Sequence, residues 1–244
     1  MIKNKVKALC LSVILSLSIM ISGCYRIPSP VDKTKMIDEY VKSNVVMLIN
    51  DKGGSCSAFY VQATSGVTYL MTASHCKPLA SAFGIYISVD NQGTIQSHEF
   101  VAESPNSDLM ILTSPDLRWG LQIAKGLPMN VHIFSRGGGK PIYKTSGIVK
   151  GFQKLRIMLN DKPCDNLFPK YATVRVAFFF MEQDICVMST NAMVVTAKAI
   201  PGSSGGAVVD DKGYVVGVVS STFRGVQLSG IATLHDIRVL LGQH

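Results

Sequence analysis

The chain has 244 residues, 47% of them hydrophobic and 16% charged, and Lys plus Arg outnumber Asp plus Glu by 24 to 16, a formal charge of +8. That length buries one core of the size usual for a single all-β module, and no second folded domain is expected beside it. With no Arg/Lys run interleaved with aromatics, no internal repeat and no low-complexity tract, the composition argues against a nucleic-acid partner and against a repeat architecture.

Residues 1–7 carry Lys3, Lys5 and Lys7, and residues 8–21 (ALCLSVILSLSIMI) form an apolar run. The run is short for a membrane span, which takes about 20 residues, and its basic flank suits a secretory signal. Ile21-Ser22-Gly23-Cys24 resembles a bacterial lipobox. That resemblance implies a lipoprotein signal peptide over 1–23, cleavage before Cys24 and acylation of Cys24, palmitate included. Several acyl chains on one residue anchor firmly where one binds only marginally. Tyr25 after the cysteine implies the outer membrane if the cell is Gram-negative. Removing the leader takes away three lysines and leaves +5 (eight minus three), a modest basic bias that favours an anionic lipid or wall surface. The basic stretch from Arg136 to Arg156 reads as a solvated loop and strand face.

Residues 25–31 (YRIPSPV) read as a tether, and Met36, Ile37, Tyr40 and Val41 recur near helical spacing over 32–43, so 24–43 is taken as lipidated cysteine, tether and short helix. From residue 44 on, runs rich in Val, Ile, Tyr and Phe alternate with turn residues. They predict strands at 45–50, 57–63, 67–72, 84–89, 98–103 and 108–113 and, after a Pro- and Gly-punctuated connection, at 130–134, 145–151, 172–181, 192–197, 207–210, 214–220 and 229–233. A helix is expected near 234–242. The fold class is therefore all-β with a C-terminal helix.

Three short stretches carry chemistry. In AIPGSSGGAVVD (199–210), Ser204 stands among glycines that let the backbone turn sharply. A tetrahedral oxyanion needs two converging N–H donors, and Gly202 and Ser204 are placed to supply them. Thr72-Ala73-Ser74-His75-Cys76 closes an apolar strand, and Asp108 stands immediately before another. A serine hydroxyl is a weak nucleophile at neutral pH, so His75 would take its proton and return it to the leaving amine, while Asp108 holds the imidazole tautomer. His98, His132, His235 and His244 lack such a setting and read as structural or solvated.

The order Thr-Ala-Ser-His-Cys, Asp-Leu-Met-Ile-Leu, Gly-Ser-Ser-Gly-Gly resembles the chymotrypsin-like (trypsin-fold) serine proteases over roughly residues 44–242, and PGSSGGAVVDDKGYVVGVVS is similar to bacterial Deg-type and glutamyl-endopeptidase relatives. The resemblance implies two antiparallel six-stranded β-barrels, a trypsin-like serine protease domain over 44–244, and a cleft holding His75 and Asp108 from the first barrel and Ser204 from the second. It also implies a disulfide between Cys56 and Cys76. With Cys10 in the leader and Cys24 lipidated, Cys164 and Cys186 are left to pair, an even set that suits an oxidising compartment. Lys198, six residues before Ser204, falls at the family position at the base of the primary specificity pocket, where a buried lysine would favour acidic substrate residues. Val219-Ser220-Ser221 and Gly230 resemble its walls, and Ser220 is expected to contact an extended substrate by strand addition.

Two departures from the trypsin pattern stand out. Ser203 occupies the place of an aspartate, and the Ile-Val-Gly-Gly start that pairs with it is missing, so activation by clipping is not expected. No PDZ-like module is expected to follow. The expected function is a lipid-anchored serine endopeptidase of the cell envelope acting on polypeptides. The competing class is a catalytically silent, protease-fold binding lipoprotein. A lipase or esterase is disfavoured, because the order Ser, Asp, His is absent. No cofactor is called for, and no Cys-x-x-Cys pair or His-Cys cluster argues for a metal such as zinc.

Overall fold

The computed structural model describes residues 30–115, 119–138, 140–160, 164, 172–178, 181–222 and 227–243, with 156–160, 176–178 and 181 as backbone only. The segment expected to be a signal peptide (1–23), Cys24, residues 25–29 of the expected tether and His244 lie outside the described residues. Helix α1 (Pro30–Asn44) begins on a proline whose preset φ suits a first helical turn, with Asp32 in the first turn and Lys42 in the last complementing the helix dipole. The chain divides into two units at Met36/Ile37, inside this helix, and the second unit holds both barrels.

The first barrel is built from β1 (Val45–Ile49), β2 (Ser55–Gln62), β3 (Thr68–Thr72), β4 (Ile85–Val89), β5 (Ile95–Glu103) and β6 (Met110–Thr113). All pairs are antiparallel, in the order β1-β2-β3-β6-β5-β4, and β1 pairs with β4 to close the ring. The second sheet holds β7 (Asn130–Ser135), β8 (Tyr143–Asn160), β9 (Ala172–Phe178), β10 (Met181–Val195), β11 (Ala207–Val209), β12 (Val215–Thr222) and β13 (Ser229–Thr233). Its order is β13-β12-β11-β7-β8-β10-β9, and the β13–β10 pairing closes six of these strands into a second ring with β9 outside it. Thr233 then caps helix α2 (Leu234–Leu240) in a capping box with Asp236.

Alternation of side chains along the strands sorts the apolar residues into three cores. Val46, Leu48, Ala58, Tyr60, Leu70 and Leu112 fill the first barrel, while Val131, Ile133, Met193, Val195 and Val208 fill the second. The opposite faces, among them Val45, Phe59, Met71, Phe134, Ala207 and Val218, pack together into the core where the barrels meet.

Two strands depart from expectation. The run 145–151 extends to Asn160, and the single strand foreseen at 172–181 divides into β9 and the start of β10, which continues to Val195. This ribbon leaves Phe152, Lys154, Glu182 and Ser189 exposed. Without one buried face it shows no clean two-residue period.

Both disulfides are present, Cys56–Cys76 and Cys164–Cys186. Two such bonds belong to an oxidising, extracytoplasmic compartment. Among the described residues no helix is long and apolar enough to cross a membrane. The Cys56–Cys76 bond closes a 20-residue separation and ties β2 to the turn that follows β3. Replacing both cysteines by serine is expected to lower stability by about 3 kcal/mol, read as a lower urea midpoint at unchanged slope.

Candidate active site

His75 lies in the 3-10 turn Ser74–Leu79 just after β3. Asp108 lies two residues before β6 and has no solvent exposure. The His75 Nδ1 is 2.7 Å from Asp108 Oδ2, and the His75 backbone N–H donates to Asp108 Oδ1 at 2.9 Å. A third donor comes from the second barrel: the Ser220 hydroxyl reaches Asp108 Oδ2 at 2.6 Å. Burial alone would raise the Asp108 carboxyl. The His75 charge and the hydrogen bonds from its ring, from Ser220 and from the His75 backbone outweigh this and bring it down to about 2. An ionised Asp108 is acceptor-only, which puts the ring proton on Nδ1 and makes Nε2 the accepting nitrogen of the ring.

Ser220 reaches inward because β12 bulges there. Val219 faces Ile231 and Ser221 faces Gly230, so Ser220 is the extra residue. The sequence analysis expects Ser220 to contact substrate and does not foresee its bond to Asp108, but a buried hydroxyl in such a place needs a partner.

Ser204 sits in the turn between Ile200 and β11. Gly202 and Gly205 hold left-handed φ values of +85° and +82°. A Cβ on Gly205 would lie 2.1 Å from both the Ser57 carbonyl oxygen and Thr72 Oγ1 and 3.1 Å from the Ala73 nitrogen, so only glycine fits. This contact presses the residue after Ser204 against the end of β3, three residues before His75. The Ser204 carbonyl is held by the Ser57 N–H at 2.7 Å. Gly202 packs backbone to backbone on Gly137, where an added Cβ would come within 2.5 Å of the Gly137 Cα. Neither the Gly202 nor the Ser204 N–H donates to another group among the described residues.

The family profile described as "Trypsin-like peptidase domain" matches residues 56–218, more than half of the chain and a stretch that contains His75, Asp108 and Ser204. The chain belongs to the trypsin-like peptidase family. A comparison with curated protein sequences gives no match. Among solved structures it is similar to the active form of the Rv3671c protease from M. tuberculosis, at 17% identity and a TM-score of 0.61, covering 88% of this chain and 87% of that one. It is also similar to Deg5, at 17% identity and a TM-score of 0.55, over 85% of this chain and 94% of that one. A third likeness is to the HtrA-type protease AlgW with tripeptide, at 17% identity and a TM-score of 0.56, over 86% of this chain and 64% of AlgW. At such identity the likeness is one of fold.

The remaining predicted positions of this trypsin-like peptidase behave unequally. Ala197 and Ala199 are buried while Lys198 between them is exposed. The Ser229 hydroxyl explains this, donating to the Ala197 carbonyl at 2.8 Å and accepting from the Ala199 N–H at 3.0 Å. The strap turns the intervening side chain outward, so the buried lysine that an acidic preference would need is not formed. Gly230 is buried against β12 and β8, where a Cβ would meet Ser221 Oγ at 2.5 Å and Leu155 Cδ1 at 2.6 Å.

Cys56, His75 and Cys76 bring their ligand atoms within 4.8 Å of one another, but both sulfurs are spent in the disulfide. Of the other histidines, His98 is buried between Ser88 Oγ and the Thr113 carbonyl, and His132 bonds Ser146 and Asp211. His235 is exposed.

Proposed function

We propose that this trypsin-like peptidase is a serine endopeptidase that cleaves polypeptides through an acyl-enzyme. The observation that carries the reading is the His75–Asp108–Ser220 arrangement, in which a buried, ionised carboxylate holds the imidazole in the tautomer whose Nε2 accepts a proton. Ser204 Oγ attacks the scissile carbonyl while its proton passes to His75 Nε2. The oxygen gains the negative charge and is received by the Gly202 and Ser204 N–H groups. Collapse of the tetrahedral intermediate breaks the C–N bond, and His75 gives its proton to the departing amine. Water then attacks the acyl-enzyme with His75 again as base, releasing the carboxylate product and restoring Ser204.

An extended substrate pairs along Ser220–Thr222 by strand addition. Acylation of Cys24 would tether the enzyme to a bacterial envelope membrane, the outer one in a Gram-negative cell, and the two disulfides support an oxidising side.

A fluorophosphonate probe is expected to label the protein once, at Ser204 when mapped by mass spectrometry, and the same preparation is expected to cleave unfolded casein. Folded protein that neither labels nor cleaves would move the reading to a binding lipoprotein.

A further inference from the structure

The turn that bears Ser204 is pinned by hydroxyl groups outside the proposed catalytic set. Ser57, fully buried on β2, donates through Oγ to the Gly202 carbonyl at 2.8 Å and accepts there from the Arg136 N–H at 2.8 Å. Its backbone N–H holds the Ser204 carbonyl at 2.7 Å, and its own carbonyl accepts from Thr72 Oγ1 at 2.7 Å. One residue of the first barrel therefore fastens two carbonyls of the turn and the loop after β7.

From the second barrel, buried Ser203 closes the other side. Its Oγ accepts from the Ile200 N–H at 3.0 Å and pairs with the Ser135 hydroxyl at 2.8 Å, while its N–H donates to the Ile200 carbonyl at 2.9 Å. The Ser203 carbonyl accepts from the Gly206 N–H at 2.8 Å. Three successive carbonyls, of Gly202, Ser203 and Ser204, are thus engaged, and the Gly202 and Ser204 N–H groups are left for a ligand. A peptide beside a glycine turns over at little steric cost, so an oxyanion site built on Gly202 needs such fastening to keep its donors outward.

We propose that Ser57 and the Ser135–Ser203 pair are positioning residues that lock the Ile200–Ser204 turn in its oxyanion-receiving shape before substrate arrives. This rests on the serine endopeptidase reading. Neutral hydroxyls, one set from each barrel, do here what a charged pair would otherwise do at position 203, and competence comes with folding of the two barrels.

The test compares the full chain as wild type, Ser57→Ala, Ser203→Ala and Ser135→Ala. Active sites are titrated with a fluorophosphonate, kcat and KM are measured on one peptide substrate, and inhibition is measured with a peptide aldehyde, whose adduct places an oxyanion in the site. For Ser57→Ala the expected result is a kcat per titrated site lower by about 10- to 100-fold, approaching the loss seen when an oxyanion donor is removed. Aldehyde affinity should fall by the same factor, with KM nearly unchanged. A residue that only supported the fold would lower the fraction of titratable sites and leave kcat per site and aldehyde affinity alone, and that result would overturn the proposal. Should Ser57→Ala not fold, Ser203→Ala and Ser135→Ala, which free the same turn from the second barrel, decide by the same two numbers. Wild type that fails to label sinks the endopeptidase reading itself; wild type that labels beside variants of equal kcat sinks only the lock.

Discussion

Ser204→Ala is expected to yield a folded protein whose peptide turnover falls by on the order of 10⁶, with no fluorophosphonate labelling. The substitution removes one oxygen from a half-exposed side chain and leaves the pins of the turn untouched, since the Ser204 carbonyl stays on the Ser57 N–H and Gly205 stays against Thr72. Thermal unfolding should therefore match wild type. The expected loss is so large because His75 has no function without a hydroxyl to deprotonate, and what survives comes from the oxyanion donors and binding alone. Turnover within tenfold of wild type would show that Ser204 is not the nucleophile.

Asp108→Asn is expected to lower kcat/KM by about 10⁴ at neutral pH. The two carboxylate oxygens are not equivalent here. Oδ1 accepts from the His75 backbone N–H, a donor that cannot turn round, so the asparagine carbonyl must stay on that side. Its NH2 then faces Nδ1 and the Ser220 hydroxyl. The hydroxyl can reverse its role, but the ring must present Nδ1 as an acceptor, which puts the proton on Nε2 and blocks transfer from Ser204. Fluorophosphonate labelling should slow by a similar factor.

The same carboxylate sets an acid dependence. Its pKa of about 2 in the fold lies below its ordinary 3.8, so the folded state holds the ionised form more strongly. This contribution is complete above the ordinary value and is lost as pH falls through about 2. Wild type should be more stable than Asp108→Asn at pH 6, and the gap should narrow between about pH 4 and 2. A stability gap that is the same at pH 6 and pH 2 would contradict the assignment.

The first barrel was readable in the chain because its strands are short runs rich in Val, Ile, Tyr and Phe closed by turn residues, as in VVMLI before Asn50-Asp51 and IYISV before Asp90-Asn91. His75, Asp108 and Ser204 were readable as candidates for a related reason: each stands in a short local pattern at a strand end. The β8–β10 ribbon was not, because solvent on its exposed positions erases the period. That Lys198 is exposed rather than buried was not readable either, because it depends on a distant contact, the Ser229 strap across 30 residues.

By itself the sequence determined the strands of the first barrel, many of the turns and which side chains are candidates for acyl-transfer chemistry, since these depend on neighbours a few residues away. Only the tertiary structure decided that Ser220 braces Asp108 from 112 residues away and that Ser57 holds Gly202 from 145. A hydroxyl carries no signature of its partner in the chain; it acquires one when two closed barrels meet and a buried donor must be satisfied.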